Sequence, residues 1–210
     1  MNKTLFVTVS SIEWFSLFCL IFTMFRFRMK DHILQIIFAS VIMSQFSFLI
    51  AGAEDISVIA PVLQFFIVFL FLWLMFRIHI FYAAVMTTFG YGWFLFIQTV
   101  LALVVESYPP LYLIQLGSSA FILFLCMFSS RYRLGFSFIP DNHHIKLNLK
   151  GENLRLLVLV ILTAITISIY YLFVLEGFLL LTFFIMLLIL GLFLYSAIKK
   201  EKEMINEKYY

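Results

Sequence analysis

The side chains best suited to bind a ligand are one carboxylate and four amides that lie inside long apolar runs. They are Glu13, Gln45, Gln64, Gln98 and Gln115. At 1.5 Å per residue, a helix that begins near residue 5 places Glu13 roughly 12 Å inside a membrane. An ionisable group at that depth is costly and is typical of a functional site. We therefore predict that these side chains line an outward-open, partly polar ligand pocket, the alternative being that each amide only stabilises a helix interface.

A second motif lies in the middle of the chain. The segment from Thr88 to Gly92, with the letters TFGYG, resembles the signature of a potassium-channel selectivity filter. A filter is followed by a full inner helix, whereas only a short apolar run from Trp93 to Val105 follows here. We therefore favour a helix in which Gly90 permits close packing or a local kink.

One kind of enzymatic chemistry, that of an intramembrane cysteine peptidase, would use one of the two cysteines. A cysteine peptidase needs a thiolate beside a histidine, and the histidines near the depth of Cys126 are His79, His143 and His144. The adjacent pair His143 and His144 has no further metal ligand clustered nearby. We expect Cys19 and Cys126 to be free thiols, and we expect no enzymatic activity, no metal site and no cofactor.

Composition indicates which elements must position these residues. The 210 residues are 64% hydrophobic and 12% charged, which excludes a soluble globular fold. Apolar runs long enough to cross a bilayer predict an all-α, polytopic integral membrane protein, a bundle of seven transmembrane helices. The predicted spans are 5–25, 32–50, 58–76, 80–105, 111–128, 156–175 and 178–197. The bundle occupies residues 1–198, and a charged cytoplasmic tail follows at 199–210.

The basic residues predict the orientation of this bundle. With the N-terminus outside and the C-terminus inside, all of the 14 Lys and Arg residues except Lys3 lie on the cytoplasmic side. The first span runs into Arg26 and Arg28 rather than into a cleavage site, so we expect it to be retained. The net charge of +3 therefore reflects topology and contact with membrane lipid, and it predicts no nucleic-acid partner.

The long cytoplasmic loop is predicted at residues 129–155. It alternates apolar and polar residues from Phe136 to Lys150, on both sides of a Pro-Asp-Asn turn that begins at Pro140. This alternation predicts a short hairpin or a turn bound to the membrane surface.

The chain also contains a weak internal repeat. Met24-Phe25-Arg26 recurs as Met75-Phe76-Arg77. A helical hairpin used three times would produce this spacing, and so would any membrane protein with short basic loops. We favour the second explanation because the side chains between the two marks do not repeat.

Three basic segments carry a resemblance to a known family. They read FRFRMKD at 25–31, LMFRI at 74–78 and KGENLR at 150–155. In motifs and spacing they resemble the membrane sensor region of peptide-sensing receptor histidine kinases of Gram-positive bacteria, of the accessory gene regulator C type. The resemblance covers nearly the whole chain and implies a sensor in the bacterial cytoplasmic membrane. Because the sequence ends at Tyr210, before the kinase domain of that family, we expect no kinase activity.

Two functions are consistent with these features. The first is a receptor-like membrane protein that senses a small peptide or amphiphile from the outer leaflet and signals to a partner, such as a membrane-bound kinase. The second is a small transporter, or the substrate-binding membrane subunit of a transporter, with an ATPase as its partner. A neighbouring kinase gene would favour the first function, and a neighbouring ATPase gene would favour the second.

Overall fold

The computed structural model of the chain describes residues 3–52, 59–104, 111–132, 134–139, 151–175 and 178–209. These residues form seven helices: α1 Lys3–Met24, α2 Met29–Ala51, α3 Ala60–Leu70, α4 Ile80–Val104, α5 Leu111–Arg131, α6 Glu152–Leu175 and α7 Leu179–Tyr209. A π-helical turn, Phe71–Met75, continues α3. No strand occurs in the ranges given above, and the prediction of an all-α chain with seven helices is confirmed for them.

Six of the described helices are long and apolar enough to cross a membrane. The shorter apolar helix is Ala60–Met75, which combines α3 with its π turn. The chain is therefore a multi-pass membrane protein. The crossing by α3 and the orientation of the bundle stay predictions.

The largest extensions beyond the predicted spans are at the start of α6 and at the end of α7. α6 begins at Glu152 rather than near residue 156, because a carboxylate in the first turn interacts favourably with the positive end of the helix dipole. α7 continues to Tyr209, so most of the charged tail forms the last turns of the same helix. The tail residues include Lys and Glu, which are good helix formers even in water.

The centre of the bundle is α4, which packs against α1, α3, α5, α6 and α7. Within its most apolar 18-residue window 78% of the residues are buried, against 22% in the corresponding window of α5. α1 is the second most buried helix and packs against α2, α4 and α5. The two helices that carry Glu13 and Gln98 therefore form the core of the fold.

Gly90 allows α1 and α4 to approach closely. A Cβ atom at this position would lie 2.2 Å from Cγ1 of Ile21, far inside van der Waals contact. The segment Thr88–Gly92 is buried and lies within the continuous helix α4, so the filter interpretation is wrong for this segment. The alternative interpretation, a helix in which Gly90 permits close packing, is confirmed.

Serines form the contact between α1 and α2. Ser40, Ser44 and Ser47 lie on the buried face of α2 at helical spacing. The hydroxyl of Ser11 on α1 donates a hydrogen bond to the hydroxyl of Ser44 at 2.9 Å. Small polar residues let two membrane helices approach closely while their hydroxyl groups remain hydrogen-bonded.

In both copies of the Met-Phe-Arg repeat, the arginine at the end of the helix has a left-handed backbone. Arg26 follows α1 with a φ of 53°, and Arg77 follows the π turn with a φ of 54°. After α1, the N–H of Arg26 bonds to the carbonyl of Thr23 and the N–H of Phe27 to that of Phe22, the pattern of a Schellman motif. After the π turn the bonds differ, from Phe76 to Phe71 and from Ile78 to Leu72, so the two ends share the arginine in a left-handed position that usually favours glycine and not the bonding pattern.

The end of the bundle that carries Arg26, Arg77, Arg131 and Lys199 is called the basic end below. It contains an aromatic cluster of five side chains: Phe25, Phe89, Phe136, Phe138 and Phe193. Their ring centroids lie 5.1–6.0 Å apart in the contacting pairs, and Phe89 and Phe138 are completely buried. The cluster joins α1, α4, α7 and the segment that follows α5.

That segment, residues 134–139, contains the first part of the predicted hairpin. Residues 136–138 are neither helix nor strand, and the backbone N–H of Phe136 bonds to the carbonyl of Met24 at 2.7 Å. Phe136 and Phe138 enter the aromatic cluster, whereas Ser137 between them bonds to the carboxylate of Glu201 on α7. The alternation therefore reflects an extended segment docked on the bundle, and the rest of the predicted hairpin, 140–150, lies outside the described residues.

Candidate ligand site

The structure brings together two of the five predicted site residues in one direct contact. The side-chain N–H of Gln98 on α4 donates a hydrogen bond to Oε1 of Glu13 on α1 at 2.6 Å. Both side chains are half-buried. Glu13 lies about two turns before Ile21 in α1, and Gln98 lies about two turns after Gly90 in α4. Because the two helices are antiparallel, both steps lead from the close contact toward the same end of the bundle. The glycine contact thus sets the register that places the amide opposite the carboxylate.

Gln64 lies in a neighbouring hydrogen-bond network. Its amide donates to the hydroxyl of Ser47 at 3.2 Å and accepts from the hydroxyl of Tyr91 at 3.3 Å. The indole N–H of Trp14 donates to the same Ser47 hydroxyl at 3.0 Å. This network joins α1, α2, α3 and α4. Since Trp14 follows Glu13 in the helix, the two polar groups lie on adjacent sides of α1.

The remaining two amides lie elsewhere. Gln45 is exposed on α2, and Gln115 is half-buried on α5. Among the residues that the structure describes, neither side chain forms a hydrogen bond. Their assignment to a ligand pocket stays a prediction, as does that of the other three residues.

Sequence reasoning missed three residues of the polar network: Trp14, Ser47 and Tyr91. Ser47 had a usable signal, because it continues the helical spacing of Ser40 and Ser44 on one face of α2. Tyr91 had none, since it lies among buried apolar residues of α4. The network depends on the order of the helices in space, which the sequence does not display.

The carboxyl group of Glu13 has room for a second interaction. Its Oε1 atom accepts the bond from Gln98, and no side chain in the described ranges bonds to Oε2. A carboxylate accepts several hydrogen bonds and donates none, so its complement is an ammonium, a guanidinium or an N–H group. The pair can therefore recognise a positively charged or N–H-bearing part of a ligand.

A second buried carboxylate links two helices at the basic end. Glu152 in the first turn of α6 is 2% exposed, and its Oε1 atom lies 2.7 Å from Arg155 and 2.5 Å from Lys199 on α7. Its Oε2 atom is buried without a hydrogen-bond partner in the described part of the chain. We interpret this cluster as structural, because it joins the first turn of α6 to α7 at the point where α7 passes from its apolar part into the charged tail. The sequence prediction missed it by placing Glu152 in a loop.

The cysteines agree with the expectation of free thiols. Cys19 and Cys126 are both buried and form no disulfide. The Nδ1 atom of His79 accepts a bond from the N–H of Phe81 at the start of α4. His143 and His144 lie outside the described residues.

No protein-family model, no curated protein and no solved structure matches the chain. The functional argument therefore depends on the packing, the hydrogen bonds and the charges of the described residues.

Proposed function

We propose that the chain is a receptor-like protein of the bacterial cytoplasmic membrane that senses a small peptide or amphiphile from the outer leaflet. The contact between Glu13 and Gln98 is the observation that carries this proposal. It places a carboxylate between the two helices that form the core of the bundle, with one oxygen that bonds to no side chain in the described residues. A ligand that engages this carboxylate acts directly on the packing of α1 against α4.

The orientation in this proposal follows from the basic residues. The basic end faces the cytoplasm, which agrees with the preference of Lys and Arg for cytoplasmic ends of membrane helices. Single cysteines at positions 55 and 142 test it with an impermeant thiol reagent on intact cells. We expect labelling at position 55 only, and labelling at position 142 alone would reverse the orientation.

A route for signal transfer runs from the site to the tail. α1 and α4 extend from Glu13 and Gln98 to the aromatic cluster, in which Phe89 lies 5.1 Å from Phe193 of α7. α7 continues without interruption into the charged tail, where Glu201 bonds to Ser137. A shift of α1 against α4 would therefore reach the tail through packed rings. A kinase bound at the basic end is the partner that this geometry suits.

The packing between the site and the basic end supports sensing over transport. Leu17, Phe18 and Ile21 on α1 are completely buried, as is Phe89 on α4. A transporter needs a second state in which the same site opens to the cytoplasm. A receptor needs only a small displacement of these packed side chains.

The test uses purified protein in phospholipid nanodiscs and a photoreactive pool of short cationic amphiphilic peptides. We expect Gln98→Leu to reduce labelling of α1 and α4 by up to about tenfold, because the lost bond to Glu13, of about 1.5 kcal/mol, is the one that orients the carboxylate toward the ligand. Gln35→Leu is the matched control, since that amide lies on α2 toward the basic end, outside the predicted site, and bonds to His32. Equal labelling of both variants and the wild type would refute the site. Peptide uptake into proteoliposomes would favour the transporter.

A further inference from the structure

A cleft of about 620 Å³ opens at the basic end, between the turn that joins α1 to α2 and the end of α5. It is separate from Glu13 and from the buried Glu152 cluster. Basic side chains, three hydroxyls and one carboxylate line it: Arg26, Arg28, Lys30, Thr23, Ser129, Ser130 and Asp31. The volume lies in the usual range of small-molecule sites, about 300–1,000 Å³.

The cleft has an excess of positive charge. Three basic side chains face one carboxylate, and in the described ranges none of Arg26, Arg28 and Lys30 forms an ion pair. The position of Arg26 is fixed, because the turn is closed by the backbone bonds of the Schellman motif. Cations that line one cleft without an ion-pair partner in the described residues are the complement of an anion.

Two further features favour a phosphate group as that anion. α2 begins at Met29 without a side-chain cap, and the N–H of Asp31 bonds back to the carbonyl of Arg28, so the N–H groups of Met29 and Lys30 are the ones left for a ligand. The helix dipole adds positive potential there, which the carboxylate of Asp31 in the first turn offsets in part. The hydroxyl groups of Ser129 and Ser130 form no hydrogen bond within the described residues and supply neutral donors. Arginine forks and serine hydroxyls suit the several oxygens of a phosphate better than a single carboxylate.

We propose that this cleft binds the phosphate group of a phosphorylated ligand at the basic end of the bundle. The source of the phosphate is an anionic phospholipid headgroup or a soluble phosphate ester. Apolar side chains also line the cleft, among them Phe27, Met29 and Leu134, and they suit the glycerol and acyl parts of a lipid. Such binding would hold the turn between α1 and α2 against α5.

The experiment measures binding to the full chain purified in an uncharged detergent. The probes are short-chain phosphatidylglycerol, short-chain phosphatidylcholine and glycerol phosphate. Microscale thermophoresis and the shift in melting temperature of the protein measure the binding of each probe. We expect phosphatidylglycerol to bind and Arg28→Gln to weaken this binding by about tenfold. Arg77→Gln is the matched control, because Arg77 has the same left-handed backbone at a helix end but does not line the cleft.

The outcomes separate the two sources and the failure of the idea. Binding of phosphatidylglycerol without glycerol phosphate assigns the site to a lipid headgroup, and binding of both assigns it to phosphate esters in general. If Arg28→Gln does not fold, Lys30→Gln replaces it, because Lys30 is exposed in the first turn of α2. Equal affinities for these variants, Arg77→Gln and the wild type would overturn the proposal. Equal binding of phosphatidylcholine would also overturn it, because its choline cation cancels the phosphate charge that the cations of the cleft are proposed to recognise.

Discussion

The contact between Gly90 and Ile21 gives the sharpest test of how this bundle is held together. In Gly90→Ala the added Cβ would lie 2.2 Å from Cγ1, 3.1 Å from Cδ1 and 3.4 Å from Cβ of Ile21. The atoms that must give way belong to a completely buried side chain on the second most buried helix, so the neighbours cannot simply swing aside. Overpacking of a filled core costs about 1–3 kcal/mol. We expect the upper part of that range.

The same substitution should disturb the ligand site at a distance. α1 and α4 must separate or slide to admit the methyl group, and the bond between Gln98 and Glu13 lies about two turns away on the same pair of helices. We therefore expect Gly90→Ala to lower both the free energy of unfolding and the photolabelling of α1 and α4. A loss of stability with unchanged labelling would show that the glycine contact does not set the register of the site.

The assay is reversible unfolding in mixed micelles, followed by tryptophan fluorescence. Gly191→Ala on α7 is the matched control, because nothing lies within 4 Å of a Cβ atom at that helical position. There the exchange should be neutral or stabilising by about 0.5–1 kcal/mol. The double variant with Ile21→Ala removes Cγ1 and Cδ1, and its loss should be smaller than the sum of the two single losses. If Gly90→Ala unfolds like Gly191→Ala, the steric argument is refuted.

Three further predictions concern the polar contacts. Lys199→Met should lower the free energy of unfolding by about 1–2 kcal/mol. This loss is smaller than for a fully buried ion pair, because Lys199 is 41% exposed while Glu152 is 2% exposed. Chemical denaturation measures the loss, and Lys202→Met is the neutral control. Ser137→Ala removes one of the two hydrogen bonds to the carboxylate of Glu201 and should speed amide hydrogen exchange around the tail about fivefold. Unchanged exchange would show that the contact with Ser137 does not stabilise the tail. Glu13→Gln should keep the free energy of unfolding in detergent within about 1 kcal/mol of the wild type and reduce peptide labelling, while Glu13→Leu should reduce both. Unchanged labelling in both variants would exclude the pocket.

Much of the helical architecture follows directly from the apolar runs. Segments long enough to cross a bilayer must satisfy their backbone groups internally, so each becomes a helix whatever its detailed sequence. The ends were harder to predict, because α6 begins early at a carboxylate that binds Lys199 of another helix. The acidic residue is itself a local signal for a helix start, but the partner that keeps it buried lies far away in the chain.

The site was predictable by depth but not by direction. Depth alone selected Glu13 and Gln98, and they meet in the structure. It also selected Gln45, which is exposed on α2. Which side of a helix faces the core depends on the order of the helices and on close contacts such as Gly90, and these are properties of the packed bundle rather than of any single segment.

The short third helix has a consequence for the surrounding lipid. Ala60–Met75 extends over at most about 24 Å at 1.5 Å per residue, whereas the hydrocarbon core is about 30 Å thick. The central helix Ile80–Val104 has no such deficit. On the prediction that α3 also crosses the membrane, the bilayer has to thin along the face of the protein that α3 forms, and the hydrophobic mismatch is not uniform around the bundle. Membranes with shorter acyl chains relieve this mismatch, so the lipid chain length itself becomes a variable that sets the stability of the protein.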